Sequence, residues 1–444
     1  MPKKKNRPHT NPDFRHRSDF PAPPVEEIQK RLMTVLTPGD FAPMRMANQK
    51  TKLRERILTL PVMTAIVVSL VWRQIPSLCE VLRILAKEGL LWVRAIKVSK
   101  QALSKRLEKL PASLFAQVFE DVILRIRNSR DKKESLSLLV GQESWQKVKE
   151  YFRVIWIADG STLEALKKKM EGLRDKTAVC GGKMMMVVEA FSHVTVCAFY
   201  TDNSGANDKI FVGQLLGRLP VGGLMVFDLG FFSFPFFDAF SEGNKYFVTR
   251  LREKTAYRVV GELSRGQYWR DEIIEMGKYR SNPCKWRVRK VSVQWKGRWY
   301  CYITNVIDSK VLSARQVCEL YRRRWRIEDA FKVTKRLLGL SYLWVGSTNG
   351  VEVQIYATWI FYAVLNDICE QVAEVLNEPL ERISVEMVFR GFYHYGRACE
   401  RGEGGDIVGF LAENAQLLGI VKAQRKRHRE AKLQQQEVWV DTLS

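Results

Sequence analysis

A chain of 444 residues, 46% of them hydrophobic, has the length for two or three domains and the apolar content for a packed core, which excludes a disordered tail or a fibre. Its 72 Lys and Arg against 48 Asp and Glu leave a net charge of +24, which points to a polyanion partner, nucleic acid before an anionic membrane surface. Eight cysteines with no C-x-x-C pair read as reduced core thiols in a cytoplasm and speak against a zinc site.

Residues 1–18 hold six Lys or Arg and one Asp, which predicts a disordered basic arm that either touches DNA backbone or only keeps the chain in solution. The arm has no apolar core, so it does not read as a signal peptide. Residues 19–135 predict a helical N-terminal DNA-binding domain. The run Ile57 to Trp72 is shorter than the ~20 residues of a membrane span and is interrupted by Pro61, so a buried helix is expected and no membrane partner. Further on, "VSKQALSKRLEKLP" offers Ser99 as an N-cap after a turn at Gly89, with Gln101, Ser104, Lys105 and Arg106 on an exposed face. That suggests a helix-turn-helix, although any small helical domain of a basic protein gives a similar pattern.

After a charged linker at 127–135 the texture changes. "VIWIA" (154–158) reads as a buried strand ending at Asp159, and "KMMMVVEAF" with "VTVCAFY" as a hairpin around Ser192 and His193. The helix "NDKIFVGQLLGRL" then leads to a buried strand "GLMVF" (223–227) ending at Asp228, a short helix follows, and "KYFVTR" forms the next strand. An insertion at 252–310 has alternating strands such as "WRVRKVSVQW" and "RWYCYITNV". Residues 346–444 return to helix and end in a basic tail. No internal repeat, Walker loop or dinucleotide glycine pattern occurs.

The segment "YRRRWRIEDAFKVTKRLLGL" (321–340) sets an acid among many cations. At about 100° per residue Tyr321, Arg324, Glu328 and Lys335 share an arc of roughly 60°, beside an apolar stripe of Leu320, Ile327, Phe331 and Leu338. Ser313 and Gln316 offer a capping box at the start of this helix. Glu328 thus stands at the edge of the core, where it either pairs with Arg324 at i,i+4 or serves chemistry.

Two acids, Asp159 and Asp228, directly follow buried strands, and neighbouring strand ends on one edge of a parallel sheet are close in space. A helix packed on that sheet brings Glu328 toward them. Three carboxylates together repel unless a divalent cation neutralises them, and oxygen-only donors select Mg²⁺ or Mn²⁺. A two-metal site of this kind suits phosphodiester chemistry. Each Asp taken singly also fits a plain turn after a strand.

Strand-Asp159, strand-Asp228 followed by "LGFFSF", and Tyr321, Arg324, Glu328 and Lys335 at Y-x₂-R-x₃-E-x₆-K spacing resemble the insertion-sequence-four family of bacterial DDE transposases. "YFVTRL" (246–251) and "YITN" (302–305) are similar to that family as well, whereas Leu229 stands where the family usually shows Arg. The resemblance spans roughly residues 150–345. It implies an α/β fold: an RNase H-like catalytic core (150–251 and 311–345) with the β-rich insertion at 252–310, flanked by N-terminal and C-terminal helical regions.

It also implies Asp159, Asp228 and Glu328 as catalytic metal ligands for Mg²⁺ (Mn²⁺ substituting), with Tyr321, Arg324 and Lys335 on DNA phosphates. The chemistry implied is cut-and-paste: nicking, hairpin formation, hairpin opening and strand transfer, by a homodimer acting on terminal inverted repeats and target DNA. A hairpin expels a base from the stack, and residues 278–300 carry eight basic residues, no acid and three Trp. Trp299 is the choice for stacking on that base, the alternative being a core role, and Arg250 is expected on phosphate. Two other readings remain at this stage: a DNA-binding regulator descended from a transposase, and a structure-specific nuclease on the same core.

Overall fold

The structure, a computed structural model, describes residues 22, 24–37, 41, 57–132, 143–163, 181–295, 297–340 and 342–422; the basic arm at 1–18 and the basic tail beyond Lys422 lie outside them. The chain divides into two compact units, one of residues 1–138, 163–181 and 331–422, the other of residues 139–162, 182–330 and 423–444.

In chain order the first unit contributes helices α1 (Glu26–Val35), α2 (Leu60–Trp72), α3 (Leu78–Lys87), α4 (Lys100–Lys109) and α5 (Ala112–Lys132). The second contributes α6 (Glu143–Tyr151), β1 (Ile155–Thr162), β2 (Lys183–Glu189), β3 (Thr195–Thr201), α7 (Val212–Arg218), β4 (Leu224–Phe227), α8 (Phe234–Glu242) and β5 (Tyr246–Arg250). It continues with β6 (Tyr257–Arg265), β7 (Trp269–Met276), β8 (Val288–Trp295), β9 (Arg298–Thr304) and α9 (Ala314–Arg323). Helix α10 (Trp325–Lys332) runs across the division, and the first unit resumes with a π-turn (Val333–Leu337), α11 (Thr348–Val375), α12 (Val385–Glu400) and α13 (Ile407–Glu413).

The first unit is helical because its sequence repeats apolar residues at helical spacing. Helix α2 is the exception in pattern. Twelve of its thirteen residues are buried, so it is apolar all round and forms the unit's centre with α11, which packs on α2 and α5. None of the helices among the described residues is long and apolar enough to cross a membrane. The N- and C-terminal helical regions, read separately from the sequence, share this unit. Ser99 caps α4 as expected, its Oγ accepting the Ala102 N–H at 3.2 Å. Residues 88–99 between α3 and α4, however, hold a bridge from Leu90 to Val93 and exceed the three or four residues of a helix-turn-helix turn.

The second unit is built on one sheet of nine strands in the order β3-β2-β1-β4-β5-β9-β8-β7-β6. Strands β1, β4 and β5 are mutually parallel, and the other pairings are antiparallel. The apolar runs "IWIA" and "LMVF" fill the centre, as strands covered on both faces must. Against them lies an aromatic core of Phe227, Phe231, Phe236, Phe237, Phe240 and Phe247, all essentially inaccessible to water. Residues 257–304 form four strands that do not stand apart: β9 pairs with β5 through Val248↔Thr304, Thr249↔Ile303 and Arg250↔Tyr302, so they extend the same sheet.

Candidate active site

The parallel ladder of β1 and β4 ends at Ala158↔Phe227, and Asp159 and Asp228 are the next residue on each strand. Adjacent strands lie about 4.8 Å apart, so the shared register sets the two aspartates side by side at one edge of the sheet. Strand β1 continues past Asp159 to Thr162, paired only with β2, which makes Asp159 a strand residue rather than a turn. Asp228 caps the short helical turn after β4, its Oδ1 accepting the Gly230 N–H at 2.8 Å. Burial raises the Asp159 carboxyl to about 7, against the opposing pull of Arg324, with Asp228 and Glu328 adding to the rise. Asp228 is also raised, again chiefly by burial.

The helix read from the sequence keeps its helical backbone through Arg324 (φ −52°, ψ −36°), but its hydrogen bonding tightens there to a three-residue step. Helix α9 starts at the capping box, where the Gln316 N–H donates to Ser313 Oγ (3.3 Å) and the Ser313 N–H to Gln316 Oε1 (2.8 Å), and it ends at Arg323. Helix α10 starts at Trp325, and the π-turn follows at Val333. Arg324 occupies the junction. From there its Nη1 reaches Asp159 Oδ2 at 2.6 Å and its Nη2 reaches Glu328 Oε1 at 3.4 Å, with Arg324 and Asp159 both almost fully buried. The i,i+4 contact of Arg324 with Glu328 exists, and it is the weaker of the two.

Beside this cluster is a cavity of about 550 Å³, lined among others by Arg250, Trp295, Tyr300, Tyr302, Tyr321, Arg322 and Arg324. Tyr321 packs on Tyr302 with ring centroids 5.1 Å apart, and the Arg324 guanidinium lies 4.9 Å over the Trp325 ring. Arg250 stands 5.6 Å over the Tyr300 ring, its buried Nε making no hydrogen bond to any described residue. Cations, aromatic faces and concavity together suit a phosphate and a displaced base.

Trp299, the sequence choice for stacking, is not in that wall. On β9 it alternates with Tyr300 and Tyr302 and so faces the other side of the sheet, where Arg270 covers its ring at 5.3 Å. Trp295, opposite Arg298 in the β8/β9 register, lines the cavity instead. Strand parity counted from Tyr300 would have found it. Lys335 belongs to the helical unit, where it sits on the π-turn, 5.8 Å over the Phe331 ring, and burial lowers its ammonium to about 8.

The sequence reading also missed Asp208. It pairs with Lys183 Nζ at 2.7 Å and lies against Gly160 and Gly230, the glycines beside Asp159 and Asp228. Its segment reads from the sequence as the start of the helix 207–219, where an acid in the first turn needs no further explanation, so only the fold identifies it.

By chemistry the three carboxylates suit a hard divalent cation. As arranged they do not fit one, because the Arg324 guanidinium holds Asp159 and reaches Glu328; among the described residues no group of three or more His, Cys, Asp or Glu has metal-holding geometry.

Residues 150–364 match the family described as transposase DDE domain. The chain is 25% identical over 240 residues to a putative transposase, y4zB, of Sinorhizobium fredii, covering 52% of this chain and 65% of that protein. It is 25% identical over 174 residues to a probable transposase for insertion sequence element IS5377 of Geobacillus stearothermophilus, covering 38% and 45%. Transposase InsG for insertion sequence element IS4 of Escherichia coli is 23% identical over 206 residues, covering 44% and 45%. The chain therefore spans about half to two-thirds of these relatives' lengths. A solved piggyBac transposase synaptic complex with hairpin DNA aligns over 92% of this chain and 89% of its own at 10% identity and a TM-score of 0.37, too low a score to fix a fold.

Proposed function

We propose that this chain, which belongs to the DDE transposases related to insertion sequence four, excises its own insertion sequence and joins it to target DNA by cut-and-paste. The observation that carries this reading is the register that sets Asp159 beside Asp228, with Glu328 linked to Asp159 through Arg324. The strand order β3-β2-β1-β4-β5, with β2 antiparallel to its neighbours and β1, β4 and β5 parallel, supports an RNase H-like core for that site.

Each step is an in-line displacement at phosphorus. Water attacks one strand and the 3′ oxygen leaves; that 3′-hydroxyl attacks the opposite strand to close a hairpin; water opens it; and the same hydroxyl joins target DNA. In every step the attacking oxygen loses a proton and the leaving oxygen gains one, so no covalent link to the protein is needed. Arg250, Tyr321 and Arg322 supply cations and a hydroxyl at the cavity wall to hold and orient phosphates, as charge-assisted donors do. Trp295, with Tyr300 and Tyr302 on the same wall, takes the stacking role first given to Trp299. Only with Arg324 withdrawn would Asp159, Asp228 and Glu328 be the residues to hold Mg²⁺ or Mn²⁺, which would supply Lewis-acid chemistry there. A homodimer on paired terminal repeats completes the proposal, with the helices of residues 19–135 contributing to DNA binding.

The test is incubation of the full chain with end-labelled DNA from the gene's own flank, with Mg²⁺ or EDTA, beside Glu328→Gln. Metal-dependent nicks and hairpins at the repeat boundary, absent in the variant, are expected. Binding without cleavage, with paired ends and Mn²⁺ supplied, would instead identify a DNA-binding regulator, and cutting without joining a nuclease.

A further inference from the structure

Asp159 already has a cation. Arg324 Nη1 lies 2.6 Å from Asp159 Oδ2, both side chains nearly closed to water, and the same guanidinium reaches the half-buried Glu328. A carboxylate oxygen engaged by a guanidinium at this distance does not also take a divalent ion, because the two positive charges would compete for the same lone pairs and repel one another in a poorly screened site.

Arg324 has a second place to go. It also forms part of the cavity wall, beside Arg250, Arg322 and Tyr321, and its buried Nε makes no hydrogen bond to any described residue. A guanidinium is a planar fork of donors that binds phosphate oxygens in pairs, so a DNA phosphate in the cavity offers Arg324 more acceptors than it has now.

We propose that Arg324 is an internal counter-cation that keeps the acid cluster closed to divalent metal until a DNA phosphate draws it away. The inference rests on the transposase reading above and adds an order of events to it: DNA first, metal after. Moving one guanidinium exchanges an ion pair inside the protein for one with DNA and frees Asp159 and Glu328 at the same moment. By linkage, whatever factor DNA adds to metal affinity, metal adds to DNA affinity. Cleavage is thereby confined to protein that already holds DNA.

The experiment is direct Mn²⁺ binding to the full chain, read by electron paramagnetic resonance of free Mn²⁺, with and without a duplex from the gene's own flank. Wild type is expected to bind Mn²⁺ about 5- to 150-fold more tightly with the duplex than without it, the usual range of such coupling. Arg324→Met is expected to bind Mn²⁺ without DNA about as tightly as wild type does with it. Equal affinity of wild type with and without DNA would overturn the proposal, a comparison that needs no variant to fold. So would an Arg324→Met that folds, by its thermal transition, yet binds Mn²⁺ no better than free wild type. Asp159→Asn must abolish the added binding. If wild type bound the duplex but no Mn²⁺ in either state, the metal-dependent transposase reading itself would fall, an outcome distinct from loss of the coupling alone.

Discussion

The Asp208 carboxylate pairs with the Lys183 ammonium at 2.7 Å and lies where a side chain on Gly160 or on Gly230 would have to go. A Cβ on Gly160 would overlap Asp208 Oδ1, and one on Gly230 would lie 2.7 Å from Oδ2. The short 3₁₀ turn that starts at Asp208 is thus fitted against the backbone beside both aspartates of the candidate site, and the glycines leave space for it. Lys183 offsets the third negative charge brought to that edge, and its Nζ also donates to the Ala206 carbonyl at 3.0 Å.

Gly160→Ala is therefore expected to destabilise the fold by about 1–3 kcal/mol, the usual cost of overfilling a packed place. The cost should shrink when Asp208→Ala is added, since the clash is with that carboxylate. Urea unfolding of both single variants and the pair gives the coupling. An undiminished cost in the Asp208→Ala background would show that another contact is responsible.

Stability should also carry the signature of Asp159. Its carboxyl is raised from 3.8 to about 7 by burial, so between those values the folded chain holds a proton that the unfolded chain has released. The contribution is fully present below pH ~4 and is lost as pH rises through ~7, an effect of a few kcal/mol at most. Asp159→Asn has no such proton to release. The difference between the two unfolding free energies, measured in EDTA from pH 4 to pH 8, should change in that window; parallel profiles would contradict the burial that raises the group.

Much of this site was legible in the sequence because its strands are short continuous apolar runs and the acids follow them directly. The same holds for the Ser313–Gln316 capping box, a local signal that depends on residues three apart. What was hidden depends on long-range pairing. An ideal helix of 100° per residue put Tyr321, Arg324, Glu328 and Lys335 on one arc, but nothing in the residue types announces the junction at Arg324 or the π-turn at Val333. Period-two alternation separates Trp299 from Tyr300 yet does not say which face meets the cavity. Once β9 is paired with β8 and β5, Tyr300, Tyr302 and Trp295 fall on the cavity face and Trp299 on the other. Asp208 sits at the start of the helix read at 207–219 and its partner, Lys183, is on a strand, so no local pattern joins them.

Lys335 offers a pH test of the phosphate role assigned from the sequence. Burial lowers its pKa from 10.5 to about 8, so the ammonium is present below about 8 and lost above it. Over the interval from about 8 to 10.5 the unfolded chain keeps the proton and the folded chain does not, so fold stability rises with pH there while DNA affinity falls. Lys335→Arg stays charged and should hold its affinity between pH 7 and pH 9 when wild type weakens. Lys335→Ala should lower the salt slope of DNA binding by about one phosphate contact at pH 7. Fluorescence anisotropy on labelled flank DNA measures both, and a pH profile shared by wild type and Lys335→Arg would remove Lys335 from the DNA interface.

Strands β7 and β8 are tied to the start of α9 through a buried cation. Arg289, with no accessible surface, donates Nε and Nη2 to the two oxygens of Asp271 at 2.7 and 2.6 Å, and its Nη1 reaches the Leu312 carbonyl, next to the cap of α9. Asp271→Ala would leave that guanidinium buried and half-partnered, which costs about 3–5 kcal/mol. Replacing both partners with apolar residues, Arg289→Met with Asp271→Leu, should recover most of that stability because no charge remains to be buried. It would not restore the bond to Leu312, so the double variant is expected to fold yet cleave more slowly, with DNA affinity retained. Thermal unfolding, anisotropy and cleavage rates on one set of proteins separate these effects. Full cleavage in a stable double variant would mean that α9 is held in place without Arg289.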